Sequence, residues 1–409
     1  VNDTRRIAYL LRQFKSSFLS SLWFMLLMFP IAVLKIDTRE AAVETRWIHL
    51  LWIALGSFVL SWLWRFLLAK RDSGGGKQVE TSVFPYQSLL QKLTEKPTVK
   101  FLSMALLALL VFAFPLIAGL YQVSILTSAL MFVILGLGLN IVIGYGGLLH
   151  LGYAAFYAVG AYNYGLLYLN WGVPFWGALP MGALSGMIFG LLIGFPILRL
   201  RGDYLAIATL AFGEIVRLLL ENLAFTKGPE GIAQISRPGF FVKLSLQGAT
   251  NYLYYIAVIL VLITIFVMKR LEDSRIGRAL EAMRDDEIAA QSMGIDLTKN
   301  KLITFALGAV WAGLVGVVLA AKTTYINPGS FTLTESVMIL VAVVLGGTGS
   351  IPGVILGAFL VTLIPEYFRA LSDYRMLMFG VALVVMSIFR PQGIIPRRRK
   401  HYIVHELSS

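Results

Sequence analysis

Apolar runs close to twenty residues long recur along the whole of this sequence, and they restrict the chain to one kind of environment. An α-helix rises 1.5 Å per residue, so about twenty apolar residues match the roughly 30 Å hydrocarbon core of a bilayer. The runs lie near residues 17–34, 48–68, 101–119, 125–143, 151–169, 175–198, 204–223, 252–268 and 302–321. Two short runs follow at 337–345 and 353–364, and a last one at 376–389. The short pair reads either as two half-helices meeting at a turn or as two crossings, which gives ten to twelve spans. Only 14% of the 409 residues are charged, where a soluble domain carries about 25%. The ten-residue alternation of an outer-membrane barrel is missing. The predicted fold is all-α, a polytopic transmembrane helical bundle.

The net charge of +13 has to be located before it is given a partner. With both termini cytoplasmic and the spans alternating, the inner segments are 1–16, 65–100, 144–150, 199–203, 269–301, 346–352 and 390–409. They hold 25 of the 35 Lys and Arg residues. The outer loops hold nine, and Arg217 lies inside a span. This is the positive-inside bias, so a multi-pass membrane chain with both ends in the cytoplasm is expected, in contact with lipid. Nucleic acid is not an expected partner, because the basic residues are scattered over many loops with no stacking platform. No cleavable signal peptide is expected, since 17–34 runs on into the charged stretch 35–40. Ser73-Gly74-Gly75-Gly76 marks a flexible linker. Residues 1–100 therefore read as an N-terminal helix pair with a cytoplasmic linker, 101–396 as the functional core and 397–409 as a basic tail.

Inside the core, Gly182, Gly186, Gly190 and Gly194 line one helix face, as do Gly308, Ala312, Gly316 and Ala320. Small residues at this spacing let helix backbones approach closely where lipid supplies no hydrophobic drive. Two glycine clusters, 136–147 and 346–353, read either as helix breaks that expose backbone to a substrate or as tight inner turns. Asp203 suits a helix N-cap. Glu214 lies eleven residues on, about 16 Å along a helix and near the bilayer centre, where an acidic residue costs roughly 2.5–3.5 kcal/mol on insertion scales. Arg217 is spaced to pair with Glu214 and with Glu221. The group is a structural ion pair or a tuning element of a translocation path. Asn140, Tyr145, Asp203, Thr209 and Glu214 are the candidate path residues.

Catalytic chemistry is hard to find. The absence of cysteine excludes disulfides and thiolate chemistry. Gly74-Gly75-Gly76-Lys77 lacks the upstream glycine and following Ser/Thr of a phosphate-binding loop. There is no G-x-S-x-G elbow and no H-E-x-x-H. His401 and His405 stand four apart but in the polar tail, and His150 and His49 read as isolated polar interface residues. No metal, no cofactor and no enzymatic activity are expected of this chain.

One segment contradicts its apolar surroundings. Residues 275–294, RIGRALEAMRDDEIAAQSMG, carry seven charges between two spans. On a helical wheel Ile276, Ala279, Leu280, Met283, Ala290 and Met293 share a face, with Glu287 among them. Ser274 suits an N-cap and Gly294 a left-handed closing residue, while Asp285-Asp286 offers the start of a second short helix. Nothing in the chain is obviously placed to cover the apolar face. The segment can lie on lipid, but its net charge of −1 favours docking into a groove on a partner.

Glu287-Ile288-Ala289-Ala290-Gln291-Ser292-Met293-Gly294 resembles the E-A-A…G coupling loop of bacterial ABC importer permeases. With GRALEAMRDDEIAAQSMGI, LGLNIVIGYGGLLHLGYAAFYAVGAY, LRLRGDYLAIATLAFGEIVR, LGGTGSIPG and RPQGIIP, residues 100–396 are similar to the branched-chain amino acid importer permeases, in particular the larger permease of the pair. The resemblance implies a second permease subunit, two cytoplasmic ATPase subunits that hold ATP and Mg, and an extracytoplasmic binding protein that delivers leucine, isoleucine or valine. Gly277, Arg278, Glu281, Arg284, Asp285, Glu287, Ala289, Ala290 and Gly294 match the coupling motif; Ile288 stands where a strict motif has alanine. On this reading, replacing Arg284 and Glu287 by alanine abolishes uptake and leaves the chain folded. Relatives with similar motifs carry urea, short amides or other amino acids. An ion-coupled secondary transporter is the other class, with Glu214 as its candidate ion site.

Overall fold

A computed structural model of the chain describes residues 34–37, 42–45, 111–197, 200, 202–238, 245–367, 377, 380, 381, 384 and 393–396. The expected span at 48–68, most of those at 17–34, 101–119 and 376–389, the linker and the tail at 397–409 lie outside the described residues. The chain divides into two units, Val1–Lys100 and Phe101–Ser409. In the first, Leu34–Asp37 (β1) pairs antiparallel with Ala42–Thr45 (β2), in the register Leu34 to Thr45. No strand is read there from hydropathy, yet Ile36, Val43 and Thr45 are β-branched residues of the kind that favour strands.

The second unit is helical. Its main helices are α1 (Leu120–Asn140), α2 (Tyr153–Trp171), α3 (Phe175–Ile197), α4 (Asp203–Asn222), α5 (Leu246–Asp273), α6 (Arg275–Asp285), α7 (Glu287–Ser292), α8 (Leu297–Thr323), α9 (Leu333–Gly346) and α10 (Ile351–Tyr367). Five helices among the described residues are long and apolar enough to cross a membrane: Leu120–Tyr145, Phe175–Pro196, Leu246–Asp273, Leu297–Thr323 and Pro328–Gly346. α4 misses that standard because it carries Glu214, Arg217 and Glu221. α2 is rich in tyrosine, and two of its hydroxyls bond backbone: Tyr153 donates to Gly308 O at 2.8 Å and Tyr164 to Ser236 O at 2.7 Å.

α8 is the hub, packed against α3, α2 and α1, while α1 also meets α5, α9 and α10. The glycine rows make the first of these contacts. A Cβ on Gly186 would stand 2.4 Å from Ala309 O, and one on Gly316 would stand 2.4 Å from Tyr157 O. The backbones therefore touch with no side chain between them.

The loops sort into two groups, as strict alternation of the spans requires. At one end Arg284 donates to Gly144 O, Gly349 N donates to Asn140 Oδ1 at 2.8 Å, and Ile394 N donates to Leu345 O at 3.0 Å. At the other, Ile232–Ala233 (β3) pairs with Tyr325–Ile326 (β4), and Tyr325 Oη donates to Glu230 O at 3.0 Å. The short spans become an antiparallel hairpin. α9 has 14 residues, about 21 Å, and reaches span length only together with the 3-10 turn at Pro328–Ser330 that precedes it. The glycine clusters at this end are tight turns packed in protein: Gly346 and Gly353 meet backbone to backbone, and α1 runs unbroken to Asn140 before a π-helical turn at Ile141–Tyr145.

Candidate functional site

The charged block is two helices because each end carries its own cap. Ser274 Oγ accepts from Gly277 N at 3.0 Å and starts α6. The chain turns at Asp286, in extended backbone, and its Oδ1 accepts from Ile288 N at 2.8 Å and Ala289 N at 3.0 Å to start α7. Gly294, at φ 83°, closes α7: Ile295 N donates to Ala290 O at 3.1 Å and Gly294 N to Gln291 O at 3.0 Å. Asp296 then caps α8 through Lys299 N at 3.0 Å. Asp286→Ala should cost about 1 kcal/mol, the usual value of a lost cap. Amide exchange should speed up in 287–292 and stay unchanged in α6.

The apolar face is not left open, contrary to the sequence expectation. Gly277, Leu280, Met283 and Ala290 are buried by the chain itself, because the π-helical turn, α5 and α8 come together beneath α6. What projects outward is a second set: Ile288 is 69% and Met293 83% exposed, with Ile276 also exposed. The motif residues divide the same way. Arg278, Asp285, Ala289 and Gly294 face outward, and Glu281 is half-buried. Arg284 and Glu287 reach back to the membrane helices. Arg284 hydrogen-bonds Gly144 O and lies against Gly147, while Glu287 Oε1 pairs with Lys301 Nζ at 2.8 Å. Lys301 is buried to 4% exposure at the start of α8. The charged block is thus tied to the π-helical turn after α1 and to α8 through one hydrogen bond and one ion pair.

The five candidate path residues do not share a surface. Asn140 and Tyr145 are buried where the end of α1 meets the α9–α10 turn, and Asn140 is committed to Gly349. Asp203 is the first residue of α4 rather than its cap; the cap position is Gly202 and no side chain caps it. Thr209 and Glu214 do come together. Thr209 Oγ1 accepts from Leu151 N at 3.1 Å, behind a notch lined by Gly152, Gly213, Glu214 and Ser336. With a volume of ≈ 10 Å³, the notch has room for about one water. Ser336 Oγ accepts from Ala154 N there at 2.9 Å, so the first turn of α2 is held by side chains of α4 and α9. Glu214 accepts from Arg217 Nε at 2.8 Å, and Arg217 reaches Glu221 at 2.8 Å. The triad is real, and the side chains of Glu214 and Glu221 are 41% and 37% exposed. His150 is buried against Tyr153, Phe156 and Phe305, not at an interface.

A family model described as branched-chain amino acid transport system / permease component matches residues 121–387, a stretch that takes in α1 to α10 with the capped charged block inside it. The chain belongs to that family. It is a multi-pass membrane permease, the transporter component that the sequence motifs imply. Among its relatives is the high-affinity branched-chain amino acid transport system permease protein LivM of Salmonella typhimurium, 45% identical over 322 residues, which cover 73% of this chain and 76% of that one. LivM of Escherichia coli is 40% identical over 392 residues, 90% of each chain. LivH of Salmonella typhimurium, another permease protein of a high-affinity branched-chain amino acid transport system, is 23% identical over 282 residues, 65% of this chain and 91% of that one. No solved structure matches.

The permease's motif stretches thus mix exposed residues with internal fasteners. Lys301 was missed in the sequence. It looks like an ordinary basic residue at a span edge, and nothing in its spacing from Glu287 announces a pair.

Proposed function

We propose that this permease is the larger transmembrane subunit of an ATP-driven importer that carries leucine, isoleucine and valine into the cytoplasm. The observation that carries the reading is the charged helix pair, which is capped at both ends and fastened to α1 and α8 while it offers Ile288, Ala289 and Met293 outward. A helix pair built this way suits a groove on a partner, and the partner it suits is a cytoplasmic ATPase. ATP and Mg belong to two such subunits. The phosphate-binding loop is missing from this sequence, so this chain takes its energy from outside itself. A second permease covers the face of α4 that carries Glu214, Arg217 and Glu221, because an ionic triad facing lipid at that depth is costly. An extracytoplasmic binding protein supplies the substrate at the end that carries β3 and β4. The chain lies in the bacterial inner membrane with its charged block and both termini in the cytoplasm.

Crosslinking in native membranes, followed by mild-detergent pull-down of the tagged chain, should recover a second hydrophobic permease and ATPase subunits. Recovery of the chain alone would overturn the reading and make α6 and α7 a lipid-surface pair. In intact complexes, Ile288→Glu with Met293→Glu should abolish ATP-dependent leucine uptake while melting stays unchanged, because both side chains stand free of this chain's core. Uptake at the wild-type rate would remove the block from the coupling role.

A further inference from the structure

Between α1, α9 and α10, at the end of the bundle away from the charged block, lies a cavity of ≈ 390 Å³, within the usual range of small-molecule sites. It runs from Tyr121 in the first turn of α1 to Phe132, eleven residues on and so about 16 Å deeper. Its walls change character with depth. Near the mouth, Tyr121 hydrogen-bonds Glu366, and Glu335 contributes a second carboxylate from the first turn of α9. Lys322, from the last turn of α8, is buried behind this wall and donates to Ser124 O at 2.9 Å and to Ser128 Oγ. Those bonds use two of the ammonium's three donors, and the Glu366 carboxylate acts on the same ammonium through its charge. Farther in, Phe132, Met338 and Val361 make an apolar end.

The charged groups stand together at helix ends around the mouth, and the wall turns apolar with depth. A bare cation would meet the Lys322 ammonium beside its carboxylates, and a bare anion would meet two glutamates. Both signs of charge at one end and an apolar pocket at the other suit a zwitterion with a hydrocarbon tail.

We infer that this cavity is a receiving site for an aliphatic α-amino acid. Glu335 and Glu366 take its ammonium group, the charge of Lys322 behind the wall draws its carboxylate to the side of Ser124 and Ser128, and the apolar end takes its side chain. The inference rests on the importer reading and adds to it a substrate site on the permease itself, occupied between release from the binding protein and passage inward.

The absence of cysteine from the sequence allows a direct test. In the complete transporter in proteoliposomes, Ser124→Cys should react with a membrane-impermeant cationic methanethiosulfonate added on the binding-protein side, read as a mass shift on this chain. Leucine-loaded binding protein should slow that reaction several-fold, and unloaded binding protein should not. Met338→Trp, which fills the apolar end, should depress leucine uptake more than alanine uptake. Lys322→Met should raise the KM for leucine about tenfold, because the charge that draws the carboxylate is gone. No labelling, or labelling that leucine does not slow, overturns the site while wild-type uptake leaves the importer reading standing. A wild-type complex that takes up no aliphatic amino acid overturns that reading and the site with it.

Discussion

Glu287→Ala should lower the stability of the permease by several kcal/mol, not merely uncouple it. Glu287 lies 2.8 Å from Lys301, with side-chain exposures of 24% and 6%. Removing one partner of a buried pair strands the other charge, which typically costs about 3–5 kcal/mol, more than the pair itself contributes. The partial exposure of Glu287 places the cost toward the lower end. The sequence reading expected the variant with both Arg284 and Glu287 replaced by alanine to stay folded, because both then counted only as coupling residues. Removing both charges separates the two roles. Glu287→Ala with Lys301→Met should regain most of the melting temperature in detergent, since no charge is left stranded. If Glu287 also transmits the ATPase stroke, leucine uptake by the stable double variant stays low. Full uptake by the double variant would confine Glu287 to a fastening role, and a single variant that melts like wild type would show that Lys301 finds water instead.

How far the sequence carries depends on the range of the interaction that decides each feature. The caps of α6 and α7 were legible because Ser274, Asp286 and Gly294 act within three residues of themselves; the Asp296 cap of α8 was not read. The spans were legible because crossing a bilayer is a property of a continuous run. Alternation then gave the grouping of loops at the two ends. What failed is what depends on distant chain. The apolar face of the charged block looked unpartnered because its cover comes from the turn after α1 and from α8. Asn140 and Tyr145 looked exposed to a path because glycines surround them in sequence, while in three dimensions the α9–α10 turn closes over them. The cavity behind Ser124 draws on α1, α8, α9 and α10, and no window of sequence holds all four.

Gly313→Ala should be among the most damaging single methyl groups that can be added to the helix core. Gly313 sits on α8 where α2 and α3 both touch it. A Cβ there would lie 2.2 Å from Gly182 O on α3, while a Cβ on Gly160 of α2 would lie 2.1 Å from Gly313 O. These neighbours are backbone, so no rotamer change relieves the clash; a whole helix has to move. Overpacking a well-filled core costs about 1–3 kcal/mol even where side chains can give way. A displaced helix also forfeits the dispersion contact that holds α2, α3 and α8 together where lipid offers no hydrophobic drive. The expected result is loss of the folded chain from the membrane, or a large drop in detergent melting temperature. Gly194→Ala is the matched control from the glycine row on α3. Its new methyl would meet the Leu302 side-chain Cδ2 at 3.0 Å, a group that can swing aside, so melting should change by little more than the helix-propensity gain of alanine over glycine, up to about 1 kcal/mol. Equal behaviour of the two variants would mean that the three helices do not meet at backbone contact, and the hub role of α8 would fall with it.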